Sequence, residues 1–244
     1  MKRAMHAFAM CQSMFCAIPC PWQVWDEEAR PLMLAFLPLV GLEIGLLWAG
    51  LAWLCGAVGL YAPLTAFALC AFPFLAAGHI HLDGFMDVTD AVRSCRSPER
   101  RREILKDPHV GSFAVIGCAL LMLAQYAGFA VGRGDLRVLV LIPGVSRCLS
   151  AAAVTCLPAM DTSQYAGGTR RKPVLTAALG MLAVFLAAGF LVCGRYGFCL
   201  VGLAAGYGLA LRRGYRSLGG MNGDIAGYAL TLGELCAVIL YAVI

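Results

Sequence analysis

Residues 32–53 read LMLAFLPLVGLEIGLLWAGLAW, an apolar run interrupted by a single charged side chain, Glu43. A helix needs about 20 consecutive apolar residues to cross the hydrocarbon core of a bilayer. Similar runs recur along the 244 residues, of which 61% are hydrophobic and 14% charged, whereas soluble domains carry roughly 25% charged residues. Continuous runs favour helices over the alternating strands of a membrane barrel. The sequence therefore predicts an all-α, polytopic transmembrane helix bundle that forms one domain over residues 1–244.

About seven spans are expected in this bundle. They are 32–53, 57–77, 113–131, 138–157, 174–193, 196–211 and 225–244. The loops 78–112, 158–173 and 212–224 contain most of the basic residues. These are Arg93, Arg96, Arg100, Arg101, Arg102, Lys106, Arg170, Arg171, Lys172, Arg212, Arg213 and Arg216. The alternate loops carry only Arg133, Arg137 and Arg195. Because basic loops stay in the cytoplasm, we expect a cytoplasmic N-terminus in a bacterial inner membrane protein.

The net charge of +5 is explained by these loops. No lysine- and arginine-rich run alternates with aromatic residues, so no nucleic-acid partner is predicted. The N-terminal stretch to Ile18 resembles a signal peptide, but Gln12 and Ser13 interrupt it, and we expect a segment at the membrane surface.

The cysteines and the paired glycines are predicted to have structural roles. The twelve cysteines contain no C-x-x-C pair and lie mostly within or beside apolar runs, which predicts free thiols acting as small hydrophobic side chains. Three G-x-x-x-G patterns, at 41–45, 128–132 and 202–206, place two glycines on one helix face and predict close helix packing.

Carboxylates cluster in the loop at 78–112, which we expect to be the catalytic loop. Its first part, GHIHLDGFMDVTDA at 78–91, contains Asp83, Asp87 and Asp90. In a helix these positions, i, i+4 and i+7, share one face. Hard carboxylate oxygens at this spacing suit Mg²⁺, which keeps water ligands and bridges to substrate phosphates. The alternative is an acidic helix face that is only solvated.

A second helix is predicted from Ser97 to about Lys106. Serine at the N-cap, proline in the first turn and Glu99 next to it are typical of a helix start. Its basic face could contact anionic lipid headgroups or phosphate. Asp107 follows, directly before a proline, and is expected to be extended.

Further polar residues lie in or beside spans. Arg147 lies in the fourth span and needs a partner or a water-filled cavity. Glu43 could form a hydrogen bond across a helix interface. Glycine-rich backbone beside an acid at GGMNGDIAG, 219–227, suits a close approach to phosphate, and Glu234 follows inside the last span.

These motifs resemble the cobalamin 5′-phosphate synthase family, also called adenosylcobinamide-GDP ribazoletransferase. The block at 78–91 is similar to the family's G-G-x-H-L-D-G-L-A-D-T-x-D-G, and GGMNGDIAG is similar to its G-G-x-T-G-D-x-x-G. LKDPHVG at 105–111 is similar to M-K-D-S-R-x-G, and the resemblance extends over the whole chain. Met86, Val88, Ala91, Asn222 and the Pro108-His109 pair depart from the family pattern, whereas all the carboxylates are kept.

The resemblance implies the final lower-ligand assembly step of cobalamin biosynthesis. A hydroxyl of α-ribazole, or of its 5′-phosphate, attacks the cobinamide-side phosphorus of adenosylcobinamide-GDP, and GMP leaves. The resemblance also implies Mg²⁺ as cofactor, the lipid bilayer as environment, and association with other cobalamin-assembly enzymes.

The resemblance and the residues together give predicted roles. The predicted metal ligands are Asp83, Asp87, Asp90 and Asp224. The predicted catalytic residues are Asp83, Asp87, Asp90, His81 and Arg147. The predicted substrate-binding residues are Lys106, Asp107, Gly219, Gly220, Gly223, Asp224 and Glu234. Arg147 and Lys106 are expected to contact diphosphate oxygens, Glu234 to orient Arg147, and His81 or one carboxylate to accept the proton of the attacking hydroxyl.

Three other functions fit the sequence less well. A CDP-alcohol phosphotransferase needs D-G-x-x-A-R, which fails after Gly84, and a prenyltransferase needs two widely separated acid-rich motifs. A transporter could use Glu43, Arg147 and Glu234 as an ion path, but most acids gather at one level instead.

Overall fold

The computed structural model describes residues 2–132, 134–160 and 171–244, so Arg133 and Arg170 lie outside the described residues. Within these ranges the regular structure is helical, with one isolated β-bridge between Ala159 and Met221. The α-helices are α1 (Lys2–Phe15), α2 (Leu37–Ala57), α3 (Ala62–Ala76), α4 (Ile80–Arg93), α5 (Pro98–Ile104), α6 (Ser112–Val131), α7 (Ile142–Cys156), α8 (Arg171–Cys193), α9 (Phe198–Leu218) and α10 (Gly223–Val243). Short 3₁₀ helices cover Arg30–Phe36, Leu136–Val140 and Gly194–Gly197. The prediction of an all-α fold is confirmed.

Five helical stretches in the described residues are long and apolar enough to cross a membrane. They are Arg30–Ala57, Ser112–Val131, Leu136–Cys156, Arg171–Leu218 and Gly223–Val243. The count reaches six if α3 and α4, bent by 90° at a short break, form one span. Two features explain why this count is lower than the seven spans predicted from the sequence. The predicted span 57–77 contains only the 15 residues of α3, and the predicted spans 174–193 and 196–211 fall in one continuous stretch.

The stretch from Arg171 to Leu218 is not one straight helix. Gly194 has a left-handed φ of 56°, and a Cβ placed on Gly189 would lie 3.6 Å from the Cα of Gly197. In a continuous helix these two residues would be about 12 Å apart, given a rise of 1.5 Å per residue. The chain therefore turns back here, and α8 and α9 form a hairpin.

The break between α3 and α4 is made by two consecutive left-handed residues, Gly78 with φ 62° and His79 with φ 64°. Glycine adopts this conformation without a steric penalty. α4 has 14 residues, including three aspartates, and is not one of the five long apolar stretches. Together with α5 it makes the predicted catalytic loop helical over much of its length. Its second helix, α5, begins as predicted after Ser97, whose side chain accepts a hydrogen bond from the N–H of Arg100 at 3.4 Å.

Glycine pairs lie at helix contacts, which confirms the packing interpretation. Gly41 and Gly45 on α2 meet the backbone around Pro143 and Val140. The other two pairs both pack against α10. Gly128 and Gly132 meet Val238 and Tyr241, and Gly202 and Gly206 meet Leu240 and Cys236. All twelve cysteines are free thiols, also as predicted.

The crossing of α4 and α10 positions the polar part of the molecule. A Cβ on Gly84 of α4 would lie 2.9 Å from the Cα of Asp224, and a Cβ on Gly227 of α10 would lie 3.0 Å from the carbonyl oxygen of His81. Both neighbours are backbone atoms of the opposite helix, which a side chain cannot push aside. These glycines therefore bring the two helix backbones into direct contact.

Replacing Gly227 should disturb this crossing. We expect Gly227→Ala to lower thermal stability in detergent, because overpacking a tight contact costs about 1–3 kcal/mol. The matched control is Gly208→Ala on α9, where a Cβ meets no atom within 4 Å. There the better helix propensity of alanine should leave the melting temperature unchanged or raise it. Equal behaviour of the two variants would contradict the tight crossing.

Candidate active site

A cavity of about 260 Å³ lies between α1, the 3₁₀ helix at Arg30–Phe36, α4, α7 and the start of α10. Its lining residues are Met14, Phe15, Leu34, Leu37, Ile80, His81, Asp83, Ser150, Val154, Asn222, Gly223, Asp224 and Ala226. The lining thus combines two carboxylates with a largely apolar remainder. A pocket of this kind suits a ligand that has both a charged and an apolar part.

Two of the predicted metal ligands, Asp83 and Asp224, both line this cavity although they lie far apart in the sequence. The contact between Gly84 and the backbone of Asp224 explains their proximity. Asn222 caps α10 by accepting a hydrogen bond from the N–H of Ile225 at 3.0 Å, and its amide donates to Asp224 at 2.7 Å. The cap therefore fixes the carboxylate at the first turn of α10.

Asp87 lies one turn along α4 and is half-buried. Burial raises the pKa of its carboxyl to about 6, and the negative charges of Asp83, Asp224 and Asp90 add to the rise. The carboxylate of Asp87 is therefore repelled by those of Asp83, Asp224 and Asp90. Such repulsion favours either protonation or a bound cation.

Asp90 faces a neighbouring pocket. Its carboxylate packs against Gly111, and the same pocket is lined by Ser94, Arg96 and Arg100. The shared helix face predicted from the spacing is present, but it serves two adjacent pockets rather than one. Asp90 and Asp224 therefore line different pockets.

The donor set fits Mg²⁺ in its chemistry. Within residues 2–132, 134–160 and 171–244, no three His, Cys, Asp or Glu side chains are gathered tightly enough to surround an ion. Mg²⁺ is usually held by one or two carboxylates together with water and substrate phosphates, not by a cage of protein ligands. Asp83 and Asp224, with Asp87 beside them, offer hard oxygen ligands of this kind.

His81 stacks on Phe15 of α1, with ring centroids 6.2 Å apart and planes 9° from parallel. Its Nε2 is buried and has no hydrogen-bond partner among the described residues. Burial lowers the pKa of the imidazole well below its usual range, and the charge of Arg147 acts in the same direction. The ring is therefore neutral at pH 7.

Arg147 and Glu234 form a buried ion pair. Nη1 of Arg147 lies 3.0 Å from Oε1 of Glu234, and their side chains are 1% and 9% exposed. The hydroxyl of Ser146 donates to the same Oε1 at 2.6 Å, and Nη1 also donates to the carbonyl of Pro143 at 3.2 Å. The pair lies beside a small pocket that His81 also lines, behind the main cavity. The contact expected between Glu234 and Arg147 is present.

Lys106 and Asp107 lie on the exposed turn between α5 and α6. The backbone N–H of His109 donates to Asp107 at 3.0 Å, and the His109 ring lies 2.7 Å from the same oxygen. These contacts hold the pKa of the Asp107 carboxyl below its usual range. Asp107 is therefore paired locally with His109.

The predicted glycines divide between two places. Gly223 lines the main cavity. Gly219, with φ 77°, ends α9, where Arg102 donates through Nε to the carbonyl of Leu218 at 2.7 Å. Gly220 packs against Met160. Gly219 and Gly220 thus shape the approach to α10, and their substrate-binding role stays a prediction.

Sequence reasoning missed the contribution of α1. Met14 and Phe15 line the cavity, and the face of α1 that contains Ala7, Cys11 and Phe15 is buried. The i, i+4 and i+8 spacing of these apolar residues was the available signal. Glu43 accepts a hydrogen bond from Gln12 of α1 at 3.0 Å, which confirms the expected bond across a helix interface.

Comparison with known proteins identifies relatives over the full length of the chain. The family described as cobalamin-5-phosphate synthase matches residues 7–242. The adenosylcobinamide-GDP ribazoletransferase of Clostridium perfringens (strain 13 / Type A) is 34% identical over 100% of both chains. The enzyme of the same name from Geotalea daltonii is 33% identical over 93% of each chain. The one from Desulfitobacterium hafniense is 34% identical over 89% of this chain and 88% of its own. No solved structure matches.

The ion pair makes a testable contribution to stability. Glu234→Ala leaves the guanidinium of Arg147 buried and unpaired, which should lower the unfolding free energy by about 3–5 kcal/mol. Arg147→Met combined with Glu234→Leu removes both charges and should recover most of the loss. Thermal unfolding in detergent measures both. The control is Glu103→Ala, which removes an exposed pair with Arg100 and should change little. A double variant as unstable as Glu234→Ala would contradict the buried-charge explanation.

Proposed function

The chain belongs to the cobalamin-5-phosphate synthase family, and we propose that it is an adenosylcobinamide-GDP ribazoletransferase. It joins adenosylcobinamide-GDP to α-ribazole, or to α-ribazole 5′-phosphate, and releases GMP, the last step of cobalamin assembly. The observation that supports this most directly is the meeting of Asp83 and Asp224, from distant parts of the chain, in one partly apolar cavity.

The chemistry is a substitution at phosphorus. The hydroxyl oxygen of ribazole forms a bond to the cobinamide-side phosphorus, the bond between that phosphorus and the bridging oxygen breaks, and GMP leaves with the bridging oxygen. Catalysis of this type depends mainly on positioning and on stabilising negative charge. Asp83, Asp87 and Asp224, with Asp90 beside them, would hold Mg²⁺, which when bound neutralises the diphosphate.

The remaining site residues position the substrates. The N-terminus of α10 lies at the cavity with Gly223 in its lining, and helix N-termini favour anionic oxygens. Lys106 approaches the diphosphate from its exposed turn. Arg147 can contact it through Nε, which has no partner among the described residues, if the diphosphate reaches the level of Glu234. The hydroxyl proton passes to His81 or to one of the aspartates.

We propose seven membrane crossings, with the N-terminus and the active site in the cytoplasm of a bacterial inner membrane. The hairpin of α8 and α9 supports two crossings in the stretch 171–218, and α3 adds one if α4 lies at the surface. The crossings are then made by α2, α3, α6, α7, α8, α9 and α10. The basic residues of 78–112 and 212–224 support the cytoplasmic assignment.

The enzyme assay tests the function. Membranes containing the protein are incubated with adenosylcobinamide-GDP and α-ribazole, with and without Mg²⁺, and GMP and cobalamin are quantified. We expect both products only with Mg²⁺. Asp83→Asn should abolish turnover while the protein still inserts and keeps its melting temperature, because one ligand oxygen and its charge are lost. The control Glu103→Gln alters an exposed carboxylate of α5 and should keep normal activity. Near-normal activity of Asp83→Asn would exclude the metal proposal, and absence of product from the unmodified protein would exclude the reaction.

Topology is tested by labelling thiols with a maleimide that does not cross membranes. Cys95 is exposed between α4 and α5, and Tyr61, which is 73% exposed, lies between α2 and α3. We expect Tyr61→Cys to be labelled in intact cells and Cys95 only after permeabilisation. A Cys95→Ser variant identifies its signal. Labelling of Cys95 in intact cells would reverse the proposed orientation.

A further inference from the structure

A second groove, of about 310 Å³, lies between α4, α6, α9 and α10. Most of its lining is apolar: Phe85, Val92, Leu120, Leu121, Leu232 and Leu235. Leu120 is 62% exposed, so the groove opens onto the outer surface of the bundle. At 3.6 residues per turn, Phe85 and Val92 lie on the side of α4 away from Asp83. The groove is therefore separate from the candidate active site.

Two arginines, Arg93 at the end of α4 and Arg213 on α9, complete the lining. Both are exposed. Both also lie close enough to Tyr228, another lining residue, for their positive charges to interact with its hydroxyl group. None of the ion pairs found in the described ranges involves either arginine. Two uncompensated cations thus flank one end of an apolar groove.

Thr89 supplies a buried polar group in the same groove. Its residue is 7% exposed, and its hydroxyl has no hydrogen-bond partner among the described residues. Threonine in a helix commonly donates to the carbonyl four residues earlier, as Thr155 does to Ala151 at 2.6 Å. Thr89 lacks this bond. A Cβ on Gly117 would lie 2.9 Å from the Thr89 methyl group, so only a residue without a side chain allows α6 this close to Thr89.

We propose that this groove binds one anionic phospholipid, with its phosphate between Arg93 and Arg213 and an acyl chain along Leu120 and Leu235. The two guanidinium groups match a phosphodiester that carries net negative charge, and the apolar lining matches a hydrocarbon chain. Basic pockets between membrane helices are typical sites for anionic headgroups. Free phosphate would use only the charged end and leave the apolar length of the groove empty.

A lipid in this groove would contact the same helix, α4, that carries the carboxylates of the candidate active site. At 3.6 residues per turn, Asp83 and Asp87 lie on one side of α4, and Phe85 and Thr89 lie on the other. An acyl chain in the groove would therefore pack against α4, the helix that holds Asp83 and Asp87.

Native mass spectrometry of the detergent-solubilised full chain tests the proposal without substrate, so its outcome is independent of the catalytic assignment. The probes are phosphatidylglycerol, phosphatidylcholine with the same acyl chains, and inorganic phosphate. We expect one tightly held phosphatidylglycerol, weaker binding of phosphatidylcholine, and no displacement by millimolar phosphate. Arg93→Ala with Arg213→Ala should weaken phosphatidylglycerol binding roughly thirtyfold, since each basic residue contributes about 1 kcal/mol to attraction of anionic lipid. The matched control, Arg212→Ala with Arg216→Ala, removes two exposed arginines of α9 that do not line the groove.

A second pair of variants tests the apolar part. Leu120→Trp fills the groove without changing charge and should weaken phosphatidylglycerol binding, whereas Leu123→Trp, at a site 64% exposed on the same helix and not in the lining, should not. Unchanged binding in the Arg93 and Arg213 double variant, or equal effects of the two tryptophans, would overturn the proposal. Displacement by inorganic phosphate would identify the site as an anion site and not a lipid site.

Discussion

The direct contact between the backbones of α4 and α10 is the constraint on which the polar half of the molecule depends. Gly84 meets the backbone of Asp224, and Gly227 meets the backbone of His81. A methyl group at either position would separate the helices, and with them Asp83 from Asp224. Close approach through small residues is a general means of packing helices in lipid, where no hydrophobic force drives association. Here the same means also brings the carboxylates into one cavity.

Burying polar and charged side chains costs free energy, and the structure reduces this cost by pairing them with one another. Arg147 has Glu234, Ser146 and the carbonyl of Pro143 as partners, all of them buried. An unpaired arginine at this depth would be strongly unfavourable. Against this paired background, the crowded carboxylates of α4 and α10 stand out, because repulsion within the group is relieved only by protons or a cation. We therefore interpret Arg147 and Glu234 as a stabilising ion pair, and the aspartates of α4 and α10 as a site for a charged ligand.

α4 has two functional sides. Asp83 contributes to the cavity that we assign to the nucleotide-linked substrate, and Phe85 and Thr89 contribute to the groove that we assign to a phospholipid. The helix leaves α3 at a right angle through Gly78 and His79, and it packs against α6 and α10. It therefore connects the membrane-embedded part of the bundle with the proposed chemistry.

Sequence reasoning alone predicts the all-helical membrane bundle, the glycine contact faces, the start of α5 and the common helix face of Asp83, Asp87 and Asp90. Each of these depends on residue type and on spacing within a few turns, which a linear sequence records directly. The three-dimensional packing was needed to show that Asp90 faces a different pocket from Asp83 and that α1 lines the cavity. The spacing of apolar residues along a helix such as α1 indicates which face is buried, but not which neighbour covers that face. The partners of such helices are set by how the backbones fit together across long separations in the chain.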